Sequence, residues 1–353
     1  MSDSPSIVVG ILYPPEWFGS ESGYAAEVAA LEATDPRVEV VTVTYVEPHD
    51  VRTARGAGGD AGELPELDPM DPDDLATIAR LNVALAIDIP PDITTIAPDL
   101  AWVQAVGSGT AHLQAAGLAD AGIVLTSNGG SNSIGIAEFV LGRLIEFNKL
   151  YPEIAALQAE HVWSPRYGRQ LSGQTLGLIG YGAINRAVAH RAAAFGMTVL
   201  VARRTPTATE EAHIERTYPT DDLHEMLGRC DAVIAAVPET PETEKMMDAA
   251  AFAAMRPGTF FANVGRGSLV DEPALIAALE SGRLGGAALD VANVEPLPAD
   301  DPLWDAPNLR ISGHCSTAPT SLMPNVHQLF RENLERFVRG EKLLNEVSAD
   351  RGY

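Results

Sequence analysis

Cysteine is almost absent from this chain of 353 residues, with Cys230 and Cys315 alone. Two scattered thiols exclude a disulfide framework and form no metal-ligand spacing, so no metal is expected, and a reducing cytoplasmic setting fits best. Lysine is nearly as rare, at positions 149, 245 and 342 only. Basic residues total 24 against 48 acidic ones, a formal charge of −24 at pH 7. That excess repels nucleic acid and anionic membranes, so neither is expected as a partner. It still permits a local arginine cluster around an anion. No apolar run approaches the ~20 residues of a membrane span. The start, "MSDSPSIVVGILYPP", has no basic segment before an apolar core, so no secretory signal is expected.

What is present is an ordinary globular balance, 46% hydrophobic, at a length sufficient for two domains. Short β-branched runs alternate with Ala-rich helical patterns. "SIVVGILY", "VEVVTVTYV", "VALAIDI", "LAWVQAVG" and "GIVLTSN" form one series. "TLGLIG", "MTVLVA", "DAVIAAVP", "TFFANVG", "GGAALDV" and "LRISGH" form another. Apolar strands separated by helices imply α/β domains with parallel sheets covered on both faces. Residues 52–74, rich in Gly, Pro and acid, read as a solvated surface loop; their carboxylates lack the spacing of a calcium loop. Residues 133–160 read as one long helix able to join two domains, and the tail reads as a helix ending near Gly340.

"GLIGYGAINRAVAHRAAAFGMTVLVARR" is a strand, a glycine turn, a helix and a second strand. Gly180 permits the tight turn. Gly182 lets backbone approach a pyrophosphate held at the helix N-terminus. Asn185 stands where a third glycine normally allows close helix–strand packing, so the helix is expected to sit differently. Arg203 lies 203 − 180 = 23 residues past the first glycine, where an acidic residue would bind an NAD ribose. Arginine suits a 2′-phosphate instead. Arg203 and Arg204, with the Thr205 hydroxyl, therefore favour NADP(H), with NAD(H) possible. The competing readings are a helix-capping glycine turn and solvated loop arginines.

Three further strand ends carry polar groups: Arg266 in "NVGRGSLVDE", Asp290 and Glu295 in "ALDVANVEPLP", and His314 in "RISGHCSTAP". Ligands in α/β sheets bind outside such ends. Glycines on both sides of Arg266 leave it little steric cover, so it can point into a cleft; the alternative is a surface arginine paired with Asp271 or Glu272. Cys315 beside His314 does not by adjacency make a nucleophilic pair.

The chain resembles the D-isomer-specific 2-hydroxyacid dehydrogenase family, in the branch containing glyoxylate/hydroxypyruvate reductases. The motifs carrying this are "LAWVQAVGSGTAHL", "WSPRYGRQLSGQTLGLIGYG", "VPETPETEKMM", "NVGRGSLVDEPALIAALESGRLGGAALDV", "EPLPADDPLW" and "RENLERFVRGEKLLNEV". The resemblance implies two Rossmann-like domains of the formate/glycerate dehydrogenase type, with the active site in the cleft between them. Residues 1–126 and 319–353 would form the substrate domain, and 127–318 the dinucleotide domain. Arg266 matches the substrate-binding arginine, His314 the acid/base, and Glu295 the carboxylate that keeps it protonated. Val106, Gly107 and Ser108 match the substrate loop. The implied cofactor contacts are Gly180, Tyr181, Gly182, Ala183, Ile184, Arg203, Arg204, Thr205, Val237, Pro238, Thr243, Val264, Gly265 and Asp290. The implied reaction is NAD(P)H-dependent reduction of a small 2-oxo acid by a homodimer, with the apolar helix at 136–150 contributing to the interface.

Four positions depart from the family pattern. Asn185 replaces glycine, Gly313 a proline, Ala292 an aromatic residue and Ala111 an aspartate. Gly313 implies a more mobile His314 loop. Two alternatives stay open: a non-catalytic dinucleotide sensor of the same fold, and a phosphite dehydrogenase. Formate is disfavoured because family members acting on it carry glutamine where Glu295 stands.

Overall fold

Twelve strands form two wholly parallel sheets among the residues described by the computed structural model, which are 5–18, 20–56, 58, 67, 69–205, 213–317 and 319–348. The first sheet contains β1 (Ile7–Ile11), β2 (Val38–Thr42), β3 (Val83–Ala86), β4 (Trp102–Ala105) and β5 (Val124–Thr126), in the order β2-β1-β3-β4-β5. The second contains β6 (Thr175–Ile179), β7 (Thr198–Ala202), β8 (Arg216–Tyr218), β9 (Ala232–Ala235), β10 (Thr259–Asn263), β11 (Leu284–Leu289) and β12 (Leu309–Ile311). Its order is β12-β11-β10-β9-β6-β7-β8. Counted from β6 this is the doubly wound dinucleotide-binding order with one extra strand, and the order reverses between β6 and β9. The strands are apolar because both faces are covered: β3, β4, β9 and β10 are buried along their whole length.

The chain divides into two compact units, 1–131 with 319–353, and 132–318. The first crossing thus falls later than the position after residue 126 expected above. Residues beyond β5 are hydrogen-bonded into the first unit. Ser127 donates its amide to Asn345 O at 3.0 Å, and Asn325 Nδ2 donates to Ser131 O at 2.7 Å.

The run 133–160 is two helices, Ser133–Lys149 and Tyr151–Ala159. Leu150 between them is left-handed at φ 56°, and Pro152, which cannot donate to the preceding turn, stands in the first turn of the second. The first helix packs Ala137, Val140, Leu141 and Leu144 into the core of its own unit. Other apolar side chains of the same helix, Ile136, Phe139 and Ile145, are only half-buried. Exposed apolar side chains lie at Ile134 in this helix and further on at Tyr151, Ile154, Val162, Trp163 and Tyr167.

The expected loop at 52–74 also needs correction at both ends. Residues 52–56 belong to the helix His49–Gly56, and 72–74 open the helix Pro72–Ile78. Most of the segment between lies outside the described residues. The first of these helices has no apolar period to reveal it. Buried ion pairs hold it instead: Arg52 Nε donates to Asp88 Oδ1 at 2.7 Å, and Arg55 pairs with Glu47. Asp88 is fully buried, and Glu47 and Arg55 nearly so. β8 likewise has no apolar run to mark it, being a three-residue edge strand begun by an arginine.

Candidate active site

β6 leads into Gly180, whose φ of 82° only glycine adopts without strain. A Cβ there would also strike Val237 and the Ala236 carbonyl. The helix Ala183–Ala194 follows from Gly182, with no side chain capping its first amides. A Cβ at Gly182 would meet nothing within 4 Å. Uncapped amides behind an exposed glycine fit a pyrophosphate, and Ala183 and Ile184 are the residues that open the helix.

Asn185 resolves the question of the missing glycine. It is fully buried, and its Nδ2 donates to Ile179 O and Gly180 O, each at 2.9 Å. The side chain bridges the first helical turn to the end of β6, linking by hydrogen bonds two elements that glycine would let pack by contact. Nothing in the sequence pattern signals this.

Tyr181 is half-buried, with the guanidinium groups of Arg203 and Arg186 at 5.8 and 5.5 Å from its ring centroid. Arg203 Nε donates to Thr205 O at 2.9 Å, so the backbone of Thr205 steadies that arginine. Arg204 and Thr205 are exposed. Beyond β9, Val237 is half-buried and Pro238 exposed. The Thr243 hydroxyl donates to Pro238 O at 2.8 Å and accepts from Thr240 N at 2.9 Å. Its evident use is to close that turn.

β10 delivers Val264, Gly265 and Arg266. Asn263, fully buried at the strand end, accepts from Gly265 N at 3.0 Å and donates to Arg266 O at 2.7 Å. It clamps the backbone around the arginine, and its signal was visible as the one polar residue ending "TFFAN". The glycines flanking Arg266 have a different reason from the one expected. Gly265 packs against the Val237 backbone, and Gly267 against the Ala292 carbonyl. They join three strand-end loops closely. Arg266 is half-buried, and among the described residues no carboxylate pairs with it. Asp271 and Glu272, its expected competitors, are engaged elsewhere: Asp271 caps the next helix, and Glu272 accepts from Asn293 N at 2.8 Å.

β11 and β12 bring Asp290, Glu295 and His314 together. His314 Nδ1 lies 2.8 Å from Glu295 Oε2, and Glu295 Oε1 accepts from Ala292 N at 3.0 Å. The carboxylate is thus anchored on one oxygen while it orients the imidazole with the other. Asp290 is buried, and its Oδ1 accepts from Ser312 Oγ at 2.9 Å, Cys315 N at 3.0 Å and Ser316 N at 3.1 Å. Those bonds hold the His314 turn where the family pattern has a proline. His314 itself is left-handed at φ 52°, a conformation that persists only when its surroundings impose it. Cys315 is exposed. Cys230 is buried, which pushes its thiol up to about 12 and leaves it unreactive.

The substrate-loop residues belong to the first unit. Val106 is buried after β4, Gly107 and Ser108 are exposed, and Gly107 O accepts from Asn128 N at 2.9 Å. No helix among the described residues is long and apolar enough to cross a membrane.

Comparison with known proteins agrees with this geometry. Residues 141–316 match the family described as D-isomer specific 2-hydroxyacid dehydrogenase, NAD binding domain. The chain is 31% identical over 265 residues to a glyoxylate reductase of Thermofilum pendens, covering 72% of this chain and 76% of that protein. It is 29% identical over 270 residues to a D-3-phosphoglycerate dehydrogenase of Methanocaldococcus jannaschii, covering 76% of this chain and 51%, about half, of that longer protein. A solved NADPH-dependent glyoxylate/hydroxypyruvate reductase of Sinorhizobium meliloti, in complex with NADP and sulfate, superposes with a TM-score of 0.73 at 25% identity, over 99% of this chain and 100% of that one. A dinucleotide fold ending in an arginine, a carboxylate and a histidine on adjoining strands, in a chain with these relatives, belongs to the D-isomer specific 2-hydroxyacid dehydrogenases, NAD(P)-dependent oxidoreductases.

Proposed function

We propose that this protein reduces a small 2-oxo acid, of the glyoxylate or hydroxypyruvate kind, to the D-2-hydroxy acid, with NADPH preferred over NADH. The observation that carries the reading is the hydrogen-bonded His314–Glu295 pair, whose Ala292 loop packs against the loop of Arg266, an arginine with no carboxylate partner among the described residues. The nicotinamide, when bound, supplies the hydride. Arg266 holds the substrate carboxylate and carbonyl oxygen and offsets the negative charge that develops on that oxygen. His314 donates its Nε2 proton to the same oxygen as the alcohol forms. Glu295, bonded at Nδ1, fixes the ring orientation and stabilises the imidazolium. His314 is 53% exposed, so solvent can return the proton. Gly107 and Ser108, exposed in the first unit, are proposed as a substrate-binding loop. Gly180, Gly182, Ala183 and Ile184 receive the pyrophosphate, while Tyr181, Val237, Pro238, Val264 and Gly265 line the dinucleotide. Asp290 and Thr243 act by holding loops.

The test is loss of reduced-nicotinamide absorbance with NADPH or NADH against glyoxylate, hydroxypyruvate and 2-oxobutyrate. Faster turnover with NADPH is expected. Cofactor binding without turnover of any of these acids would overturn the reductase reading in favour of a dinucleotide sensor or a phosphite dehydrogenase. Exclusive use of a phosphorylated 2-oxo acid would overturn the substrate class.

Cofactor choice is carried by Arg203 and Arg204. Arg203→Asp with Arg204→Ser is expected to weaken NADPH binding by about 100-fold, two charge-assisted bonds being lost, with NADH little affected. Equal change for both cofactors in a fluorescence titration would refute the assignment.

The assembly proposed is a cytoplasmic homodimer formed through the exposed apolar segment from Tyr151 to Tyr167, where Trp163 is fully exposed. Two copies carrying −24 each repel at long range, which favours contact through an apolar patch. Sedimentation is expected to give a dimer, and Trp163→Glu a monomer. A monomeric wild type would remove the proposal.

A further inference from the structure

Many arginines among the described residues pair with a carboxylate, though Arg166, Arg169, Arg266 and Arg283 do not. Exposed arginines such as Arg80, Arg216, Arg229 and Arg339 are paired with Glu39, Glu225, Glu215 and Glu335. Arg186 is exposed, yet among the described residues no carboxylate pairs with it. It lies near the start of the helix Ala183–Ala194, its amide bonded to Gly182 O at 3.0 Å. Helical side chains lean toward the N-terminus, which brings the Arg186 guanidinium back to 5.5 Å from the ring centroid of Tyr181. The Arg203 guanidinium lies 5.8 Å from the same centroid.

Two cations therefore share one ring at a helix N-terminus, where the helix dipole already disfavours positive charge. Attraction to the ring offsets part of that repulsion. An anion between the two guanidinium groups would remove the rest. The pyrophosphate has the helix amides for partners, whereas Arg203 ends the second strand of the unit, where the 2′ position of the adenosine ribose is read.

We infer that Arg186 is a third reader of the cofactor's 2′-phosphate, reaching it from the helix while Arg203 reaches it from the strand. Tyr181 is the platform that holds both guanidinium groups apart and aims them. This rests on the NADPH reading above and adds to it a residue outside the strand-end position that usually sets the choice. Arg186 is a binding residue in this account and takes no part in proton transfer.

The test is direct binding, by titration calorimetry, of adenosine 2′,5′-bisphosphate and of adenosine 5′-monophosphate to the full-length protein. The wild type is expected to bind the bisphosphate more tightly. Arg186→Met is expected to weaken the bisphosphate about tenfold, one charge-assisted bond being lost. Binding of the monophosphate, and the unfolding temperature, should not change. Arg186→Lys, which keeps the charge, should recover part of the loss. An unchanged bisphosphate affinity in Arg186→Met would overturn the inference, and so would equal weakening of both nucleotides, which would assign Arg186 to the 5′-phosphate. A wild type with no preference for the bisphosphate would instead sink the NADPH reading itself, and this inference with it.

Discussion

Replacing His314 with asparagine is expected to lower kcat for 2-oxo acid reduction by about 10²–10⁴-fold, the usual contribution of a positioned general acid. Cofactor affinity should stay close to wild type, because the imidazole is tied to Glu295 and to no residue of the dinucleotide turn. Glu295→Gln should give a smaller loss. An amide can keep the Ala292 bond through its oxygen, but then turns a donor toward His314 Nδ1. The imidazolium needs an acceptor there, so its formation is opposed. Single-turnover measurements with saturating NADPH separate these effects from product release. Near-wild-type kcat in His314→Asn would move the proton-donor role to another group.

Gly267→Ala is expected to be the most damaging small substitution near the site. Its new methyl would overlap the Ala292 carbonyl and lie 2.5 Å from Asn293 N. Those are backbone atoms, so no side-chain rotation relieves the clash. Overpacking of this kind costs about 1–3 kcal/mol, visible as a lower unfolding temperature. The effect on turnover should exceed the effect on stability. The displaced loop holds Glu295 through the Ala292 amide, and the other side of the clash is the loop carrying Arg266. One methyl group thus separates the carboxylate–histidine pair from the arginine. Wild-type stability and turnover in Gly267→Ala would show that these loops yield freely, contrary to the packing described. Gly182 offers the contrast, since a Cβ there meets no protein atom and any defect must come through the cofactor.

Much of the architecture was legible in the chain. Strands buried on both faces must be apolar along their length, so β6, β7, β9 and β10 are visible as runs. The glycine turn is visible because Gly180 needs a positive φ. Arg266, Glu295 and His314 stand out as polar groups where apolar strands end. Such signals are local: each follows from the backbone or burial needs of a few adjacent residues.

Tertiary structure decided what depends on partners distant in sequence. Asp290 became the anchor of the His314 turn because amides 25 and 26 residues away meet its carboxylate. The helix His49–Gly56 is held by ion pairs to Asp88 and Glu47, which no hydrophobic period announces. Asn185 marks a broken pattern in sequence and a hydrogen-bonded bridge in space. The glycines around Arg266 are required by loops that only folding brings against them. The sequence by itself determined that this is a parallel α/β dinucleotide-binding protein with an arginine, a carboxylate and a histidine at its strand ends, because periodicity and turn chemistry act at short range. Folding alone decided how those groups are held and which arginines remain without a carboxylate, because ion pairs, buried hydrogen bonds and close backbone packing are relations between segments far apart in the chain.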